Sequence, residues 1–205
     1  MTTAKDLFIT VMDQGPEDSV GQGDLSLALA GAELIDLVGA GAATVEGDRI
    51  VPGQPGSYDR VLGEAAAGIV RQEPYERTAD WLWRRGQGLA ATYQAAMEED
   101  GELTRKRGGR LSLGAKRVIP ADTPARQAAA DRWNAREPVL TALASAVGVE
   151  GVGAAGTEDR SGEVVRDEAT TAVVAAVHDA LMELEAVRQR RSIENAAFAN
   201  LWRGP

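Results

Sequence analysis

Apolar residues recur along this chain mostly at helical spacing. From Asp24 the stretch DLSLALAGAELIDLVGAG places Leu25, Ala28, Ala32 and Ile35 three or four apart, with Leu29 and Leu37 eight apart beside them, the mark of one buried helical stripe. Asp24 stands where an N-cap belongs, and Gly39 and Gly41 where a helix stops. Two more helices are predicted over about 58–72 and 76–99, the second carrying Trp81, Trp83, Leu89, Tyr93 and Met97 and interrupted at Gly86 and Gly88. A last long helix, over about 164–191, presents Val174, Val177, Leu181 and Leu184 on one side. It ends in RQRR, which suits the negative end of a helix dipole.

Strand signals are fewer. ATVEGDRIVPG reads as a hairpin turning at Glu46-Gly47-Asp48 and ended by Pro52. RKRGGRLSLGAKRVI reads as a second hairpin, with turns at Gly108-Gly109 and Gly114 and with Leu111, Leu113, Val118 and Ile119 on its strands. KDLFITVMD (5–13) is either a short strand or a helix start that buries Phe8 and Ile9. Thr123 and Pro124 supply an N-cap and a first helical position, and Pro138 ends that helix before VLTALASAV begins another. Residues 148–162 read as a flexible Gly-rich loop. The fold predicted is mainly α: a single globular helical domain over 1–205 with short β-hairpins, one of them projecting and basic.

Composition agrees with that picture. The 205 residues suit one domain, and 44% hydrophobic against 26% charged residues supply a core and exclude global disorder. Without cysteine there is no disulfide, thiolate nucleophile or Cys-based zinc site. The N-terminal apolar run is short and lacks a basic flank, so no signal peptide is expected. No apolar run approaches the ~20 residues of a membrane-spanning helix. The expectation is a cytoplasmic protein, peripheral at the cytoplasmic membrane face. Arg outnumbers Lys 19 to 3 amid abundant Ala and Gly, which points to a GC-rich bacterial genome.

Charge changes the picture at one place. The chain carries 22 basic and 31 acidic residues, a net charge of -9. Yet Arg105, Lys106, Arg107, Arg110, Lys116 and Arg117 gather between 103 and 121 with no acid among them, more than a quarter of all positive charge. Each cation near an anionic membrane is worth about 1 kcal/mol, so six can hold a protein there reversibly. Nucleic acid is disfavoured as a partner, because the net charge opposes steering and no aromatic interleaves the basic residues to stack on bases.

Catalytic signatures are lacking. GVGAAG (151–156) matches the dinucleotide glycine pattern but has neither a strand before it nor a helix opening on its last glycine. GQGLAA (86–91) lies inside a helical pattern. His178 and Asp179 are consecutive helical positions and do not face each other. The acidic runs Glu98-Glu99-Asp100 and Glu158-Asp159 read as solvated faces. No catalytic residue, metal site or cofactor is expected.

The order of segments carries a resemblance. LFITVMD is followed by LALAGAELIDLVGAGAATVEGDRIV, DRVLGEA, WLWRR, EDGEL, the basic hairpin and helical C-terminal segments, with 25–51 and 96–120 the closest stretches. This order resembles the Golgi phosphoprotein 3 family, in its bacterial branch. The resemblance implies a mostly helical peripheral membrane protein. Eukaryotic members bind phosphatidylinositol 4-phosphate and link glycosyltransferase tails to vesicle coats. It also implies that the hairpin after DGEL serves membrane contact or oligomerisation. The family's lipid-pocket Trp falls near Gly21, its helix Arg at Ala30, and its two later Arg near Ala90 and Thr92, so none of the four is reproduced. Arg84 and Arg85, about a turn and a half earlier, are the candidates to charge a displaced pocket.

The candidate anion-binding set is therefore Arg84, Arg85, Arg105, Lys106, Arg107, Arg110, Lys116 and Arg117, and the partner anionic lipid headgroups. The alternative is a soluble protein-interaction or homo-oligomerisation module, whose hairpin meets an acidic patch on another copy.

Overall fold

The computed structural model describes residues 2–13, 20–106, 117–149 and 167–201, with 105, 106, 117 and 196–201 described as backbone. The architecture is built on α2 (Gln22–Gly39), whose residues from Leu25 to Ile35 are all buried. A helix apolar on every side must be surrounded. Here α1 (Thr3–Asp13), α3 (Arg60–Ala67), α4 (Thr78–Arg85), α5 (Leu89–Glu99), α7 (Pro138–Ala146) and α8 (Glu168–Leu201) all pack on it. The α6 helix (Pro124–Asn134) covers α1 and α7 from outside.

The N-terminal segment resolves as a helix. Ala4, Leu7, Phe8 and Val11 at helical spacing form its buried side. Asp36 of α2 caps it in trans, accepting from Thr3 N at 2.9 Å and Ala4 N at 3.2 Å. Asp24 is not the N-cap of α2. Gly21 takes that position in extended backbone, and the Asp24 carboxylate instead receives Arg188 from α8 at 2.8 Å. The helix predicted over 76–99 is two helices, because Gly86 ends α4 and Gly88, at φ 68°, turns the chain into α5. The predicted 58–72 helix shortens to α3, capped by Asp59 accepting from Leu62 N at 3.0 Å.

Both hairpins form. β1 (Ala43–Glu46) and β2 (Arg49–Pro52) pair antiparallel about Gly47, at φ 62°. β3 (Leu103–Lys106) and β4 (Arg117–Pro120) pair antiparallel from Leu103↔Pro120 to Lys106↔Arg117. Thr123 caps α6 and Pro124 opens it, as the sequence predicts. RQRR does not end α8, which continues to Leu201, so its arginines lie within the helix. Gly31 admits α8 to α2: a methyl group there would overlap the buried Val177 Cγ2. Predicted features at 150–162, including GVGAAG, lie outside the described residues.

Candidate anion-binding site

The chain enters the second hairpin from the end of α5. Gly101, at φ 72°, reverses the backbone, and Glu102 N donates to Met97 O at 2.8 Å. Ala121 N donates to Glu102 O at 2.8 Å, closing the hairpin base. Leu103 is buried and Val118 packs against the core, so β3 is anchored on α5 and β4 on α1. Lys5 of α1 strengthens that corner, reaching Asp100 at 3.5 Å and Asp59 at 3.7 Å. It supplies part of the compensation that the acidic end of α5 requires.

The register then sets Arg105 opposite Val118 and Lys106 opposite Arg117. Like charges directly across an antiparallel pair are destabilising by a few tenths to about 1 kcal/mol. Two cationic residues thus occupy the last described rung of the ladder. Arg107, Arg110 and Lys116, with Leu111 and Leu113, lie outside the described residues.

Arg84 and Arg85 stand elsewhere, since α4 packs on α2 and α8 rather than on the hairpin's supports. Arg84 clasps Glu76 through Nε and Nη2, both at 2.7 Å, and Nη2 also donates to Gly68 O at 3.0 Å. Its guanidinium lies 5.2 Å from the Trp81 ring centroid, and its side chain is 47% exposed. Arg85 is only 16% exposed. Its Nε and Nη2 donate to Glu33 at 2.7 and 2.9 Å, and Nη2 also reaches Val61 O at 2.9 Å. Tyr93 donates its hydroxyl to Glu33 at 3.1 Å. Burial pushes the Glu33 carboxyl above its ordinary value, while Arg85 and Tyr93 pull it back. Burial, with Glu33 beside it, pushes the Tyr93 phenol up.

At the positions that the sequence resemblance assigns to a lipid pocket, the side chains are small or turned inward. Ala30 and Ala90 are buried in the core, and Ala30 O accepts from Trp81 Nε1 at 3.3 Å. Thr92 is half-buried and its hydroxyl turns back to Gly88 O. At Gly21 the space is taken by the Asp24–Arg188 pair. Read locally, Arg188 belongs to a helix terminus, and nothing near it in the sequence signals this pair. Glu33 does carry a local signal, as an acid inside the apolar run LAGAELIDL.

His178 and Asp179 are exposed on α8. Among the described residues no three His, Cys, Asp or Glu side chains gather as for a metal ion, and no helix is long and apolar enough to cross a membrane. A shallow depression of about 500 Å³, lined by Arg49, Glu73, Pro74 and Tyr75, is open to solvent.

The profile of a family described as Golgi phosphoprotein 3 (GPP34) matches residues 4–189, from the start of α1 into the C-terminal half of α8. No curated protein sequence matches the chain.

Proposed function

The chain belongs to the Golgi phosphoprotein 3 family, and from that premise we propose that it is a non-enzymatic peripheral membrane module. It binds anionic lipid headgroups, of the phosphatidylinositol 4-phosphate type, through the β3–β4 hairpin. Membership of that family is what suggests a lipid-binding module without catalysis. The whole of 1–205 acts as one such domain, at the cytoplasmic face of a bacterial membrane.

The observation that supports this reading is the Lys106↔Arg117 rung. A phosphate lying across two opposed cations relieves their repulsion and makes charge-assisted hydrogen bonds to both. Arg105, Arg107, Arg110 and Lys116 extend the same positive segment. In this reading Arg84 and Arg85, which stand away from the hairpin and are held by Glu76 and Glu33, take no part in binding the headgroup. The test is flotation with vesicles containing phosphatidylinositol 4-phosphate. Changing Arg105, Lys106, Arg107 and Arg110 to Glu is expected to abolish flotation, and undiminished binding by that variant rejects the assignment.

The acidic balance of the rest of the chain favours a second reading, in which the hairpin docks on an acidic patch of another copy. That reading predicts a salt-sensitive oligomer that ignores vesicles.

A further inference from the structure

The α6 helix is held to the body by little apolar contact. Ala129 is its single buried residue, with Ala125 and Trp133 partly buried beside it. The shorter α7 buries Leu140, Leu143 and Ala144. Polar ties carry the rest of the attachment. Arg126 reaches Asp13 at 2.9 Å with both side chains partly exposed, where an ion pair contributes little. Arg132 reaches Glu137 at 3.0 Å and one oxygen of Asp6. Asp6 has no exposed surface, and its other oxygen lacks a partner among the described residues. The clasp therefore offsets only part of the cost of burying that carboxylate.

The far end of α6 is strained. Arg136 N donates to Trp133 O and Glu137 N to Arg132 O, both at 3.0 Å, a closure that holds Arg136 at φ 54°. Glycine suits that conformation and arginine does not. Arg136 is the one non-glycine residue with positive φ among those described. A lone helix of 11 residues is marginal in water, so α6 melts once it leaves α1 and α7. Melting releases the strain at Arg136 and returns both clasping arginines to water.

We propose that α6 is a strap that opens as a unit from α1 and α7 while the rest of the fold stays intact. Its opening acts on the second hairpin, because only Ala121, Asp122 and Thr123 separate β4 from α6. Docked α6 fixes the exit of β4 from its ladder, and open α6 leaves that strand held by β3 and α1 alone. The strap thus sets how firmly the hairpin is held, whatever the hairpin binds.

Native-state hydrogen exchange of the full chain in graded, sub-denaturing urea tests this. The α6 amides should exchange on the order of a hundredfold faster than those of α2, and with a smaller urea dependence, since opening the strap exposes less surface than global unfolding. Arg136→Gly should slow that exchange roughly threefold, the relieved strain outweighing the entropy that glycine loses on folding. Arg126→Gln should speed it about twofold. Neither side chain enters the core, so both variants keep the fold. Exchange of α6 with the rate and urea slope of α2 would overturn the proposal, as would α6 rates that neither substitution moves.

Discussion

Arg85 grips Glu33 with two parallel hydrogen bonds, Nε to Oε2 at 2.7 Å and Nη2 to Oε1 at 2.9 Å, and Glu33 is wholly buried. The pair ties α4 to the central helix, and the Tyr93 hydroxyl adds α5 to the same carboxylate. Removing one member leaves a buried charge uncompensated. Arg85→Met is expected to cost about 3 kcal/mol, and Tyr93→Phe about 1 kcal/mol, both read from urea unfolding midpoints. An Arg85→Met protein as stable as the parent would show that the pair is structurally idle.

Gly31 and Val177 set the distance between α2 and α8. A methyl group at Gly31 overlaps Val177 Cγ2, and Val177 is stiff and fully buried, so the helices must part. Gly31→Ala should cost about 2 kcal/mol. In the Gly31→Ala/Val177→Ala double variant the new methyl fills space the valine vacates. The two costs should therefore fall short of adding, and strict additivity would refute the contact.

Asp6, Glu33 and Asp36 are all pushed above their ordinary values, burial being the first cause in each. One Asp6 oxygen is buried without a partner, although Arg132 binds the other. The folded protein therefore holds protons that the unfolded chain releases above the ordinary values of 3.8 and 4.5. The stability contributed by these groups is full below those values and is lost as pH rises through the raised ones. Asp48 and Asp167 are held low, by the hydrogen bonds of Arg77 and Thr170 respectively, and contribute stability that is lost as pH falls through their range. The urea midpoint should accordingly rise as pH falls from neutral toward the ordinary carboxylate range and fall again below that range. Asp6→Asn should flatten the upper part of that profile. A midpoint that falls steadily from neutral pH downward would contradict the assignment.

Thr123 accepts from Arg126 N at 3.3 Å and starts α6, whose Arg132 reaches both Asp6 and Glu137. Thr123→Ala should cost about 1 kcal/mol, and Thr123→Asp should recover most of it. Circular dichroism during thermal unfolding separates the three proteins. Equal midpoints would mean that the cap is dispensable.

Local rules carried much of the fold. The stripe from Leu25 to Leu37, the turn at Gly47, the Thr123-Pro124 start and the stop before Pro138 each rest on neighbouring residues, and each is found where the sequence places it. What was not legible depended on distant partners. Asp24 reads as an N-cap until Arg188, far along the chain, draws its carboxylate away. Glu33 reads as a flaw in an apolar stripe until Arg85 and Tyr93 arrive. RQRR reads as a helix end because nothing local shows that α8 continues to Leu201. Arg84 and Arg85 were legible as charge, but their engagement with Glu76 and Glu33 was not. Of the second hairpin, Val118 and Ile119 lie on β4 as the sequence places them, its predicted turns lie outside the described residues, and the register adds the opposed Lys106 and Arg117.

The central claim, that this acidic protein holds an anionic membrane surface through its basic hairpin, is tested most directly by vesicle binding at increasing salt. The account predicts binding to vesicles containing phosphatidylinositol 4-phosphate at low ionic strength. It should fall steeply as the Debye length shortens from about 30 Å at 0.01 M to about 8 Å at 0.15 M. Neutral vesicles should not bind. Equal partition onto neutral and anionic vesicles, or binding that ignores salt, would contradict it.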